Sequence, residues 1–139
     1  MNKDKLKSQT ALVGNGMVAF SEEYKGSTTS DPADLCNRYC SMLNMDQRAT
    51  VCAVALAGEM KLQGSLAGRS PLSSAAACIF MASHLMGQPK TAKEIMQVAR
   101  VSDSTIRHAY RLLWGERDAL LTEEIIARGA DPSKLPRPS

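Results

Sequence analysis

Aromatic residues are scarce in this chain: one tryptophan, three tyrosines and two phenylalanines in 139 positions. A β-sandwich or barrel draws its core from β-branched and aromatic side chains. This core must instead come from Ala, Leu, Ile, Val and Met, which favours helices, and most of the eight methionines fill it. Long apolar runs are missing too. The longest, Val51 to Ala57 and Ala75 to Ala82, fall well short of the roughly 18 residues a membrane span requires. The charged start, Met1-Asn2-Lys3-Asp4-Lys5-Leu6-Lys7, is followed by no apolar segment of signal type. The expectation is a soluble, unsecreted protein with no membrane partner. The four cysteines, Cys36, Cys40, Cys52 and Cys78, form no C-x-x-C pair, and only His84 and His108 are there to complement them. No zinc spacing emerges, so buried, reduced thiols in a cytosolic or nuclear compartment are expected, with no metal and no cofactor. No Ser/His/Asp set and no glycine-rich phosphate loop is visible. The chain does not read as an enzyme, and no small-molecule substrate is expected.

What is present is a succession of helix signals. Residues 1–31 are polar and broken by Gly14, Gly16 and Gly26, and read as a mobile linker or arm. Asp31-Pro32 opens a helix, with Asp as N-cap and Pro at the first helical position. Its apolar face is Leu35, Cys36, Tyr39, Cys40 and Leu43. A second helix runs from near Asp46 to about Leu62, burying Ala49, Cys52, Leu56 and Met60; Gly64 and Gly68 flank the loop after it. Ser70-Pro71 repeats the cap-plus-proline signal. The helix that follows, to about Met86, is apolar almost all round, so other helices must surround it. Gly87-Gln88-Pro89 breaks it. Thr91 and Glu94 form a capping box for a short helix ending near Arg100. Ser102 or Asp103 then caps a longer helix reaching about Leu121, Thr122 starts a last short helix closed by Gly129, and residues 130–139 read as an extended tail. The sum is an all-α domain over residues 32–129: five main helices with the third central, one short helix, and no strand.

Thr91 to Leu113 fits a helix-turn-helix template. Ile95, Val98 and Val101 point inward from the first helix and the turn; Ile106, Tyr110 and Leu113 point inward from the second. The opposite face of the second helix carries Ser104, Arg107, His108 and Arg111 at i, i+3, i+4, i+7, all on one side. Such a face fits a DNA major groove, its N-terminal residues nearest the bases. From Lys90 to Arg117 there are six basic and three acidic residues, so this segment holds a charge equal to the +3 of the whole chain. Phosphate attraction supplies most non-specific affinity. Arg107 can donate two hydrogen bonds to a guanine, worth about 1–3 kcal/mol of discrimination. The candidate DNA-contacting set is Lys90, Thr91, Lys93, Arg100, Ser104, Thr105, Arg107, His108 and Arg111.

Together these motifs resemble a known family. Gly68-Arg69-Ser70-Pro71, the alanine-rich helix after it, Thr91-x-x-Glu94-Ile95, and Thr105-Ile106-Arg107-x-x-Tyr110-Arg111-Leu112 look like the second cyclin-like repeat of transcription factor IIB, the RNA polymerase II initiation factor. Cys36-Asn37-Arg38-Tyr39-Cys40-Ser41 resembles that repeat's first helix, and Leu135-Pro136 its C-terminal end. The likeness covers about residues 33–137, and the Arg-Ser-Pro form is closer to the polymerase II factor than to its polymerase III relative. The resemblance implies a cyclin fold in the nucleus that docks on the TATA-binding protein and on promoter DNA beside the TATA box. It implies that an Arg at Arg107 reads bases upstream of TATA. It places Arg69 and Ser70 near the TATA-binding protein. Ser104 stands where the family has Val, so an apolar contact is lost there; fungal members often depart at this point. Arg100 stands where the family commonly has Gly. The family's zinc ribbon and first repeat have no counterpart here, so the chain is expected to be the linker and second repeat alone. RNA polymerase II would then be engaged only through the full-length protein. The competing reading is a cyclin-like module that docks an activator or kinase without touching DNA.

Overall fold

The computed structural model describes residues 31–138. Of the arm expected over residues 1–31, all but Asp31 lies outside the described residues. Seven α-helices occur among those described: α1 (Pro32–Met42), α2 (Gln47–Gln63), α3 (Pro71–Leu85), α4 (Ala92–Ala99), α5 (Asp103–Gly115), α6 (Arg117–Leu120) and α7 (Glu123–Ala127), followed by a 3-10 turn at Pro132–Lys134. The described residues include no strand. None of these helices is long and apolar enough to cross a membrane.

The capping chemistry read from the sequence fixes most of the starts. Asp31, Asp46, Ser70, Thr91, Ser102 and Thr122 each accept a backbone N–H from two or three residues ahead, which satisfies a donor that the first turn leaves free. Ser102, not Asp103, caps α5. At Thr91 the bond is reciprocal: the hydroxyl accepts from the Glu94 N–H at 3.1 Å and the Glu94 carboxylate from the Thr91 N–H at 2.9 Å.

α3 is the axis of the domain. Eleven of its fifteen residues are buried, from Ser73 to Leu85, and it packs against α1, α2, α4, α5 and the 3-10 turn. Ala75, Ala76, Ala77 and Ala82 are fully buried; their small side chains let neighbouring backbones come close, as the all-round apolar pattern required. All four cysteines are free and buried. Burial pushes the Cys40 thiol up to about 12 and the Cys52 thiol to about 11. A hydrogen bond with Cys78, then burial, raises Cys36 well above the ordinary thiol value. Thiols held protonated in this way pack as small apolar groups.

Two parts of the helix plan differ from expectation. The helix after Ser102 does not run on to Leu121. It ends at Gly115, and α6 starts separately at Arg117. Glycine in a helix interior costs about 1 kcal/mol relative to alanine. Glu116 leaves helical geometry at φ −114° and accepts a hydrogen bond from the buried Ser65 hydroxyl. The change of direction lets α6 bury Leu120 and pack on α2. The C-terminal tail is likewise not simply extended. The Asp131 carboxylate caps the turn at Ser133 N (3.0 Å), Asp131 N–H bonds Leu85 O at the end of α3 (2.9 Å), and Leu135 is buried.

Candidate nucleic-acid interface

The α4–turn–α5 unit is anchored from below. Ile95 and Ala99 of α4 and Ile106, Ala109, Tyr110 and Leu113 of α5 are buried. Val98 and Val101 are half-buried against the same core. The tie to α3 is polar as well. The fully buried Ser83 hydroxyl donates to Phe80 O (2.8 Å) and accepts from Lys90 N–H (3.0 Å), fixing the chain as it enters α4. Above Tyr110, Phe80 packs edge-on at 4.9 Å between centroids.

The turn between the helices runs through Arg100, whose backbone is left-handed, at φ 63° and ψ 31°. Its N–H closes on Met96 O at 2.9 Å. The position thus has the geometry that glycine adopts at no steric cost, yet it carries arginine.

On the outer face of α5, Ser104, Arg107, His108 and Arg111 are all exposed and share one side. Arg107 is held by Asp103 one turn earlier, at 3.1 Å, with the arginine side chain 52 % exposed. An exposed i,i+4 pair of this kind is worth about 0.3–0.5 kcal/mol. A bidentate guanine contact is worth about 1–3 kcal/mol. The pair therefore orients Arg107 without locking it.

The remaining candidates divide. Lys93 and Arg100 are exposed, whereas Lys90 is half-buried. Thr91 and Thr105 spend their hydroxyls in caps: Thr91 Oγ1 on Glu94 N–H, and Thr105 Oγ1 accepting from Ser102 Oγ at 2.8 Å. Ser104 Oγ shares a bond with Ser102 Oγ at 3.2 Å. Ser70 caps α3. Arg69 has a direct link to α5. Its Nη2 donates to His108 Nε2 at 2.8 Å, across 39 residues of sequence. Arginine has no acceptor, so the imidazole nitrogen facing it must be unprotonated. The loop before α3 and the outer face of α5 are thus one continuous surface.

Arg117, counted in the basic segment, lies over the Trp114 ring at 4.0 Å from its centroid and donates to Trp114 O at 2.7 Å, so it buttresses the end of α5. Sequence reading missed another basic residue. Arg137 of the tail lines one depression with Arg107 and a second with Arg111. Nothing local in the sequence signals this, because the approach depends on Tyr110 holding the tail at Pro136, 26 residues away. Among the described residues, no group of three or more His, Cys, Asp or Glu is placed to hold a metal ion.

The chain is similar to known proteins over most of this length. The family model for the transcription factor TFIIB repeat matches residues 25–116. Transcription initiation factor IIB of Schizosaccharomyces pombe is 48 % identical over 118 residues, covering 84 % of this chain and 35 % of the relative. The human protein of the same name is 40 % identical over 81 residues, covering 58 % of this chain and 26 % of the relative. That of Dictyostelium discoideum is 35 % identical over 96 residues, covering 69 % and 30 %. The chain thus spans about a third or less of the length of these curated relatives.

Proposed function

The chain belongs to the transcription factor TFIIB repeat family, and on that premise we propose that it works in transcription initiation as the second cyclin-like repeat of a transcription factor IIB. In this reading residues 32–129 are the repeat, residues 1–31 a linker and residues 130–139 a tail. It acts in the nucleus, binding promoter DNA beside the TATA box together with the TATA-binding protein. RNA polymerase II is engaged through the full-length factor. The observation that carries the proposal is the outer face of α5: Ser104, Arg107, His108 and Arg111 exposed together on a helix whose other side is locked into the core. A rigid helix with Arg107 projecting from its N-terminal half and Arg111 one turn further along suits a major groove. The Arg69–His108 bond joins the α3 loop to that helix, so one bound complex can use both for DNA and the TATA-binding protein. With Ser in place of Val at position 104, base readout rests on Arg107.

The test is a gel shift on TATA-box DNA carrying the TATA-binding protein, comparing the chain with Arg107→Ala plus Arg111→Ala. A supershift lost in the double variant is the expected result. A supershift that survives it means that the partner protein holds the complex and the α5 face does not. Absence of any supershift up to roughly 100 µM, the weak end of non-specific binding, from a chain that circular dichroism finds folded, would move the protein-docking module ahead.

A further inference from the structure

The C-terminal tail is docked along α5. Leu135 is buried and the Tyr110 hydroxyl donates to Pro136 O at 2.6 Å. Pro136-Arg137-Pro138 is thereby laid beside the outer face of the helix. Two adjoining depressions result. Arg107, Tyr110 and Arg137 line the first, and Arg111, Trp114 and Arg137 the second. Arg137 is common to both, so the tail sets a third arginine beside the two of α5. Among the described residues that line the two depressions, none is acidic. Asp103, on Arg107, is the carboxylate at their edge.

The tail is also stiff where it carries the charge. Prolines on both sides of Arg137 fix φ at their own positions and press Leu135 and Arg137 towards extended backbone. Little entropy is then left to lose when the guanidinium is immobilised on a ligand. The planar fork of a guanidinium matches phosphate oxygens in pairs.

We propose that Arg137 is a phosphate-contacting residue of duplex DNA, and that the C-terminal tail widens the α5 surface from base readout to backbone clamping. The proposal rests on the DNA-binding reading given above. A charge set to the side of a groove-facing helix meets the phosphate ridge, not base edges. Its contribution is therefore independent of sequence and screened by salt.

The experiment uses the full chain and two short fluorescently labelled duplexes of unrelated sequence, with anisotropy titrations from 50 to 200 mM salt. Arg137→Ala is expected to lower the slope of log K against log salt by about 0.9, and to weaken binding roughly tenfold at 50 mM, narrowing to about threefold at 200 mM, equally on both duplexes. Arg137→Lys is expected to keep the slope. Fluorescence of Trp114, the chain's single tryptophan, is expected to change on adding DNA. Arg137→Ala binding with unchanged affinity and slope, while Arg107→Ala plus Arg111→Ala loses binding, would overturn this inference and leave the function standing. A wild-type chain that binds neither duplex would overturn this inference, while the supershift with the TATA-binding protein decides the function separately. Poly-glutamate that displaces the duplex at matched charge from the wild type, but not from Arg137→Ala, would make the tail an acidic-peptide site and overturn the assignment to DNA.

Discussion

At Arg100 an L-residue holds a left-handed backbone, φ 63°, with its side chain in solvent. Such a conformation costs a non-glycine residue roughly 1–2 kcal/mol. The turn has therefore kept the geometry of a glycine turn, and the arginine is carried there at a stability cost. Arg100→Gly should raise stability by about 1 kcal/mol, less than the full strain because glycine also frees the unfolded chain. A urea titration of wild type, Arg100→Gly and Arg100→Lys checks this. The lysine variant should match wild type, since the backbone is unchanged. If glycine fails to move the midpoint upward, the strain argument is wrong. The sequence announced the position only as one where the family has Gly. The sign of φ needed the structure, because it is set by how α4 and α5 pack and not by the residue itself.

The helices themselves were largely legible, because a cap is a local device: a short polar side chain and an N–H two or three residues ahead. Asp31, Asp46, Ser70, Thr91, Ser102 and Thr122 all cap as their spacing suggested. What sequence could not supply were joints made across long separations. The break after Gly115 is tied to Ser65 through Glu116, and Arg69 reaches His108 from another helix end. Ser83 is a joint of this kind. Its buried hydroxyl accepts from Lys90 N–H, and Ser83 O accepts from Gln88 N–H at 2.8 Å, so the entry to α4 hangs on α3. The backbone contact survives Ser83→Ala; the side-chain contact does not. The variant leaves the Lys90 amide without its acceptor, and should lose about 1–2 kcal/mol. Amide hydrogen exchange should show the loss concentrated at Lys90 and the first turn of α4. A uniform increase over the whole chain would mean that Ser83 matters only as core packing.

At the scale of the molecule, the ionisable groups that folding perturbs define a stability plateau with two edges. On the acid side stand Asp46, lowered chiefly by the Ala49 N–H; Glu94, lowered chiefly by the Thr91 N–H; and Asp131, lowered chiefly by Ser133. A carboxyl whose folded pKa is depressed stabilises the fold above its ordinary value, near pH 4, and that contribution disappears as pH falls through the folded value. His84, half-buried against Phe80, is lowered from 6.5 by desolvation. Its unfolded form takes up a proton first, so stability begins to fall once pH drops below about 6.5. On the alkaline side, burial raises Cys40 and Cys52 from 9.0 to about 12 and about 11, and Tyr110 from 10.0 to about 12. Raised groups give their full contribution below the unfolded value and lose it as pH climbs to the folded one, here from about pH 9 upward. Stability should therefore be flat from about pH 7 to 9 and decline on both sides. Tyr110→Phe should lower the plateau by about 1 kcal/mol through loss of the bond to Pro136, and flatten the alkaline limb between pH 10 and 12. His84→Asn should remove the decline that begins below about pH 6.5 while leaving the alkaline limb alone. Thermal melts across that range measure all three curves. A Tyr110→Phe curve parallel to wild type above pH 10 would mean that the tail does not stay docked on α5 as the phenol ionises. The route by which Arg137 reaches α5 would then close only below that pH.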